Sequence, residues 1–89
     1  MVSPAGAERS GATSADLVEY LARRLVDDPD AVRVEELQED GDTVLRLHVA
    51  QDDIGKVIGR QGRIARALRT VVRATASRRQ GRVLLEIVE

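Results

Sequence analysis

The sequence predicts a small α+β domain with the element order α-β-β-α-α-β. Three observations predict this fold class: leucines recur at helical spacing near the start, apolar and polar residues alternate on both sides of an Asp-Gly pair, and the chain ends in an apolar run. The chain has 89 residues, no cysteine and one aromatic residue, a tyrosine. We therefore expect a single domain without disulfide bonds.

The first predicted element is a helix over residues 14 to about 27. Ser14 is the predicted N-cap, with Asp16 in the first turn, and Pro29 ends the helix because proline lacks the N–H that a helix needs. The apolar positions are four residues apart, at Leu17, Leu21 and Leu25.

Residues 1–13 are rich in alanine, glycine and serine and are predicted to form a disordered tail. They contain no apolar stretch typical of a secretory signal, and nothing in the chain approaches the roughly 20 apolar residues of a membrane span. Together with the absence of cysteine, this favours a cytoplasmic protein without a membrane span.

A β-hairpin is predicted next, with its turn at residues 39–42, where Asp40 and Gly41 form a favoured turn pair. The alternation changes phase between Val34 and Leu37, which predicts a bulge or an early end of the strand. The apolar residues that alternate with polar ones are Val32, Val34, Leu45, Leu47 and Val49.

A short helix is predicted to follow, capped by Asp52 or Asp53 and interrupted by residues 59–62. A longer helix is predicted from residue 63 to about 79, with Gly81 as its C-terminal stop. The chain then ends in a predicted strand over residues 83–88.

The charge is distributed unevenly, although the net charge is only −1. Residues 1–50 hold 5 basic and 11 acidic residues, and residues 51–89 hold 9 basic and 4 acidic ones. On a helical wheel the arginines of the long helix gather opposite its apolar side and have no acidic neighbours for i,i+4 pairs. This pattern favours a ligand-binding face over a merely solvated one. The face is formed by Arg63, Arg66, Arg69 and Arg73, and the apolar side by Ile64, Leu68, Val71, Val72 and Thr75.

Two glycines, Gly59 and Gly62, bracket Arg60 and Gln61 directly before the long helix. Glycine permits close approach of a polyanion, and a helix N-terminus offers unpaired N–H groups and the positive end of the helix dipole. This loop is therefore a candidate site for a backbone phosphate. The GxxG pattern alone is weak, because it also occurs in plain turns between helices.

The segment Asp53-Ile54-Gly55-Lys56-Val57-Ile58-Gly59-Arg60-Gln61-Gly62-Arg63-Ile64 resembles the signature of the KH RNA-binding domain. The resemblance covers residues 14–89, and the helix-first order resembles the bacterial type II arrangement. It implies a mixed three-stranded sheet with the helices packed on one face. The chain is similar to the small single-KH bacterial proteins of the KhpA type, which implies a non-catalytic RNA chaperone or post-transcriptional regulator.

The resemblance also implies the site. The loop of Gly59, Arg60, Gln61 and Gly62 would clamp the backbone of single-stranded RNA. Three flanking cations, Lys56, Arg63 and Arg66, would neutralise phosphates. A groove for the bases would be floored by Ile54, Val57, Ile58 and Leu47, for which ordinary core packing is the alternative role.

Several other functions are disfavoured. His48 is the only histidine and has no cysteine beside it, so we expect no metal; the glycine spacing fits neither a dinucleotide nor a P-loop site, so we expect no cofactor. No nucleophile and base are paired, so an enzyme or a small-molecule substrate is not expected.

Two alternatives to RNA binding stay open. One is a helix-turn-helix that binds DNA, formed by the short helix, the loop and the long helix. The other is a protein-interaction module, a homodimer or a heterodimer with a second KH protein of the KhpB type that influences the cell envelope or cell shape.

Overall fold

The computed structural model describes residues 13–76 and 81–89. Its elements follow the predicted order, with three short 3₁₀ turns between them. They are helix α1 (Ser14–Leu25), strands β1 (Arg33–Glu39) and β2 (Asp42–His48), helices α2 (Ile54–Ile58) and α3 (Arg63–Thr75), and strand β3 (Val83–Ile87). The three strands form one sheet in the order β1-β2-β3.

The N-cap of helix α1 lies one residue before the cap predicted from the sequence. Thr13, not Ser14, is the N-cap: its hydroxyl accepts from the Asp16 N–H at 3.1 Å, and the Asp16 carboxylate accepts from the Thr13 N–H at 3.3 Å. Such a capping box satisfies two N–H groups at once. Ser14 is buried instead, and its hydroxyl lies 3.1 Å from that of Thr75 at the end of α3. The helix ends at Leu25, two residues before the predicted end.

The two-residue turn of the hairpin has φ of +52° at Asp40 and +86° at Gly41, as a tight hairpin turn requires. The bulge predicted near Leu37 is wrong, because β1 and β2 pair without interruption from Arg33 opposite His48 to Glu39 opposite Asp42. Val34 lies on the inner face of the sheet, opposite Leu47, whereas Leu37 lies on the outer face, opposite Val44. The phase change in the sequence reflects this difference in face.

Strand β3 joins β2 in parallel, which makes the sheet mixed as expected. Helix α3 ends at Thr75 because Ala76 is already extended, about four residues before the predicted end. Gly81 is therefore not the C-terminal stop of α3, whose C-cap is Ala76. A Cβ at Gly81 would lie 2.6 Å from the carbonyl oxygen of Gly41, so that its lack of a side chain lets β3 start against the hairpin turn.

The core lies between the helices and the inner face of the sheet. Leu45 and Leu47 from β2 and Val57 from α2 are at most 1% exposed. Among the described helices, none is both long and apolar enough to cross a membrane. The remaining buried apolar side chains of the cluster are Val18, Ala22, Val32, Leu68, Val72, Val83 and Leu85.

Candidate nucleic-acid interface

The loop between α2 and α3 is formed by residues 59–62. At two of its positions the backbone has a conformation that glycine adopts without strain and other residues do not. Gly59 has φ +77° and Gly62 has φ +73°. A Cβ at Gly59 would lie 2.6 Å from Cγ1 and 2.9 Å from the backbone N of Ile64, whereas a Cβ at Gly62 would meet nothing within 4 Å. Gly59 thus lets the loop pack on α3, and Gly62 leaves open space in front of the helix.

No side chain among the described residues caps the N-terminus of α3. The Gly62 N–H donates to the Gly59 carbonyl at 3.1 Å, and the Arg63 N–H donates to the Arg60 carbonyl. The next N–H groups of the first turn have no partner within their own helix, since none precedes them at the i−4 position. An anion placed before α3 would therefore meet N–H donors and the positive end of the helix dipole.

Three predicted arginines surround this position. Arg60, Arg63 and Arg66 are exposed, and no acidic residue in ranges 13–76 and 81–89 forms an ion pair with any of them. The Arg63 guanidinium donates to the Gln61 side-chain carbonyl at 3.4 Å, a long hydrogen bond that holds both groups at the loop. The structure thus brings together a glycine loop, an uncapped helix end and three available guanidinium groups.

Lys56 has different surroundings from these arginines. Its Nζ lies 3.3 Å from Oδ2 of Asp27 and 3.5 Å from Oδ1 of Asp53. The hydrogen bond to Asp27, reinforced by the charges of both carboxylates, raises the pKa of Lys56 above its ordinary value. Two carboxylates of the protein therefore compete with a phosphate for this ammonium group, whereas no described carboxylate pairs with any of the three arginines.

Asp53 lies at the centre of that cluster and is only 2% exposed. The sequence suggested Asp53 as a cap of α2, but its side chain makes no capping hydrogen bond there. Its carboxylate instead accepts from the backbone N–H groups of Asp27 at 3.3 Å and Asp28 at 3.1 Å. Burial acts to raise the pKa of Asp53, but these hydrogen bonds and the Lys56 ammonium outweigh it and hold the pKa below its ordinary value. Asp53 thereby fastens the chain after α1 to the start of α2.

The four apolar residues predicted to floor a base-binding groove divide into two pairs. Val57 and Leu47 have 0% exposure and belong to the core, so their burial leaves them no surface for a base. Ile54 and Ile58 are half-buried and remain available at the surface of α2.

Sequence reasoning missed a groove between α3 and β3, which we call the α3/β3 groove. Arg69 lines it and donates from Nε to the Leu85 carbonyl at 3.3 Å. Arg82 also lines it and pairs with Asp42 at 2.9 Å. The arginine face of α3, which includes Arg69 and Arg73, was visible in the sequence, but the strand beside these two residues was not. The other lining residues are Arg73, Ala76, Gly81, Val83, Leu84 and Leu85.

A second groove, here the α1/α3 groove, lies on the opposite side of α3. It is almost entirely apolar and is rimmed by Arg24 and Arg63. Leu21 and Leu25 are two of the regularly spaced leucines that predicted α1, and Leu25 is 36% exposed. The groove is floored by Leu21, Leu25, Ile64, Ala67, Leu68 and Val71.

Histidine and acidic side chains form no metal site among the described residues, where no cluster of three such groups occurs. His48 Nε2 instead lies 3.1 Å from the Glu35 carboxylate across the hairpin.

The helix-first order, the mixed three-stranded sheet and the GxxG loop before α3 define a KH domain of the type II arrangement. The profile of the KhpA/KhpB KH-domain family matches residues 15–87. The chain belongs to this family, as the resemblance of its sequence predicted. The family is non-enzymatic, which confirms that the chain is not an enzyme.

Curated relatives match over nearly their whole length. The chain is 51% identical over 73 residues to a protein named RNA-binding protein KhpA from Halalkalibacterium halodurans, covering 82% of this chain and 96% of the relative. It is 49% identical over 73 residues to a protein of the same name from Caldanaerobacter subterraneus, covering 82% and 97%. A third, from Clostridium acetobutylicum, is 50% identical over 72 residues, covering 81% and 96%. No solved structure gives a significant match.

Proposed function

We propose that this protein binds single-stranded RNA without catalysis, by capturing backbone phosphates at the GxxG loop. The observation that carries the proposal is the uncapped start of α3, where Gly62 faces open space and three arginines have no acidic partner among the described residues. The names of the curated relatives support RNA as the polyanion.

The ligand contacts follow from this geometry. Gly59, Gly62 and the first turn of α3 contact phosphate through the backbone, and Arg60 and Arg63 neutralise it. Gln61 extends the polar surface of the loop. Arg66 meets the next phosphate along α3, and Ile54 and Ile58 contact the bases beside the loop. Lys56 and Val57 contribute through the structure of α2 rather than through RNA.

Little sequence preference is expected. The only aromatic side chain, Tyr20, is on α1 and is covered by the Arg24 guanidinium, 4.9 Å from the ring centroid. Base stacking, which contributes roughly 1–3 kcal/mol per base in many single-strand binders, is then limited to arginine planes. Affinity therefore rests on phosphate contacts and depends on salt. Such a protein acts on many transcripts, as an RNA chaperone or post-transcriptional regulator in the cytoplasm.

Titration of a labelled oligonucleotide in three forms tests the proposal: single-stranded RNA, duplex RNA and duplex DNA of one sequence. Single-stranded RNA should bind most tightly, because unpaired bases can reach the surface of α2 and duplex bases cannot. Equal or tighter binding of duplex DNA would contradict the proposal and favour the helix-turn-helix alternative.

Pairing with a second copy or with another KH protein is a second candidate function, which the α1/α3 groove supports. An apolar groove with an exposed leucine is typical of a surface that a protein partner covers. A domain of this size also has a thin core, for which burial of more apolar surface compensates.

The substitution Ala67→Glu tests this pairing, because Ala67 is exposed on the groove and a charge there leaves the core unchanged. We expect sedimentation velocity to show a paired wild-type chain and a monomeric variant with the same melting temperature. The matched control is Ala74→Glu, at an exposed site of α3 outside the groove. A wild-type chain that stays monomeric, alone and with a second KH protein, would contradict the pairing.

A further inference from the structure

Strand β3 lies at one side of the sheet, with β2 as its only neighbour among the described strands. The pairing of β3 with β2 begins where the Thr43 N–H donates to the Arg82 carbonyl at 2.9 Å. It ends where the Val88 N–H donates to the Leu47 carbonyl at 3.0 Å. In a parallel ladder alternate residues of a strand bond to the same neighbour. The peptide groups that face away from β2, here called the free edge, are therefore those of Val83, Leu85 and Ile87.

This free edge has the composition of a strand that pairs readily with another chain. Val83–Ile87 holds four apolar residues, of which Val83 and Ile87 have high strand propensity, and a single charge, Glu86. Unpaired edges of this kind are templates for edge-to-edge association unless a charge, a bulge or a covering side chain blocks them. Neither proline nor a bulge occurs in β3.

One arginine covers the middle of the free edge. Arg69 Nε donates to the carbonyl of Leu85, the central residue of the five-residue strand, at 3.3 Å. Although their peptide groups face the edge, Val83 and Leu85 are each only 6% exposed. Side chains of α3 that line the α3/β3 groove lie against the strand, so that an approaching chain meets Arg69 before it meets the backbone.

We propose that Arg69 is a guard that prevents β3 from pairing with β3 of a second copy. A two-fold antiparallel pairing centred on Leu85 would bond Leu85 to Leu85 of the second copy, and Val83 to Ile87 of the second copy. These are the residues whose peptide groups face the free edge, so the register needs no shift. The Leu85 carbonyl at the centre of this pairing already accepts a hydrogen bond from the Arg69 guanidinium.

The self-complementary register points to a second copy as the chain excluded, and the charges of β3, which pair within the chain with Asp42 and Arg46, agree with it. The strand is basic before its start, at Arg82, and acidic near its end, at Glu86. Antiparallel pairing places Arg82 diagonally across from Glu86 of the second copy, on the same outer face of the sheet. The same register places Glu86 diagonally across from Glu86 of the second copy, but a parallel in-register pairing would set Arg82 beside Arg82 and Glu86 beside Glu86. Like charges side by side destabilise a pair of strands, so the antiparallel register is favoured. The inference concerns Arg69 and β3 alone and stands whether or not the loop binds RNA.

The substitution Arg69→Ala tests the guard, with Arg66→Ala as the matched control. Both arginines are exposed on α3 and both variants lose one positive charge, but no hydrogen bond joins Arg66 to β3 among the described contacts. We expect R69A to sediment as a larger species at concentrations where the wild-type chain and R66A do not. Amide hydrogen exchange at Val83, Leu85 and Ile87 should slow at least tenfold in R69A alone.

A second variant shows whether association uses the free edge. Ile87→Pro removes an N–H that faces away from β2, and proline is tolerated at such edge positions. Added to R69A, it should return the protein to the wild-type sedimentation behaviour. The guard is refuted if R69A sediments like the wild-type chain, if R66A associates equally, or if the three amides of R69A gain no protection. The exchange measurement on R69A tests the guard by itself, even if the double variant does not fold.

Discussion

Replacing Arg60 and Gln61 together with aspartate, while keeping both loop glycines, separates phosphate capture from folding. Both side chains are exposed, and Gln61 has φ +58°, a left-handed conformation that aspartate adopts more readily than most residues. Surface substitutions usually change the free energy of unfolding by about 0.5 kcal/mol or less. The melting temperature should therefore change by no more than about 4 °C.

The effect on RNA binding should be far larger. Loss of the Arg60 contact removes a hydrogen bond to a charged group, which contributes about 1.5–3 kcal/mol. Each new carboxylate at about 4 Å from a phosphate costs roughly 1 kcal/mol even at the dielectric constant of water. The sum of about 3.5–5 kcal/mol predicts that affinity falls by a factor of roughly 300 or more.

Fluorescence anisotropy with labelled single-stranded RNA measures this loss, and circular dichroism measures the melting temperature. The matched control is Arg33→Asp with Gln51→Asp, two exposed positions outside the loop that give the same change in net charge. We expect the control to lose less than a tenth as much affinity as the loop variant. If the loop variant keeps both its melting temperature and the affinity of the wild-type chain, the GxxG loop is not the clamp.

Three further outcomes follow from the surroundings of individual side chains. Lys56→Gln should lower the melting temperature but leave the salt slope of RNA binding unchanged, because Lys56 pairs with two carboxylates of the protein. Arg66→Gln should reduce the magnitude of that slope by about 0.7. Titrations at several salt concentrations measure the slope, and an equal shift in both variants would contradict the prediction. Because the pKa of Asp53 is lowered in the folded state, the stability that this carboxylate contributes is present above its unfolded pKa and is lost as pH falls through the folded value. Denaturant melts should show that loss below about pH 4. The free energy of unfolding should depend less steeply on pH in Asp53→Asn, and an equally steep dependence in both proteins would refute this role of Asp53. Gly62→Ala, at φ +73° in open space, should lower the free energy of unfolding by about 1–2 kcal/mol. Gly59→Ala should lower it clearly more, because the added Cβ would also overlap α3. Equal losses in thermal melts would contradict the packing assigned to the loop.

Local pattern determined most of the secondary structure. The leucine spacing of α1, the Asp-Gly turn and the apolar run of β3 each encode their element in neighbouring residues, and the structure contains all three. The glycine pair before α3 was also readable, since a positive φ is a property of single residues. The order of elements and these motifs together were sufficient to recognise the family.

The surroundings of each side chain were decided only by the tertiary structure. Lys56 and Arg66 look alike in the sequence, but Asp27, far from Lys56 along the chain, neutralises it and no described carboxylate reaches Arg66. Val57 and Ile58 are adjacent apolar residues, yet one is fully buried and the other is partly exposed, because burial depends on what packs against each face of α2. Local patterns encode the conformation of the backbone, whereas partners and exposure arise from contacts between segments distant in the chain. That is why the sequence by itself identified the loop and the arginine face, and only the fold separated the cations available to a ligand from those that hold the protein together.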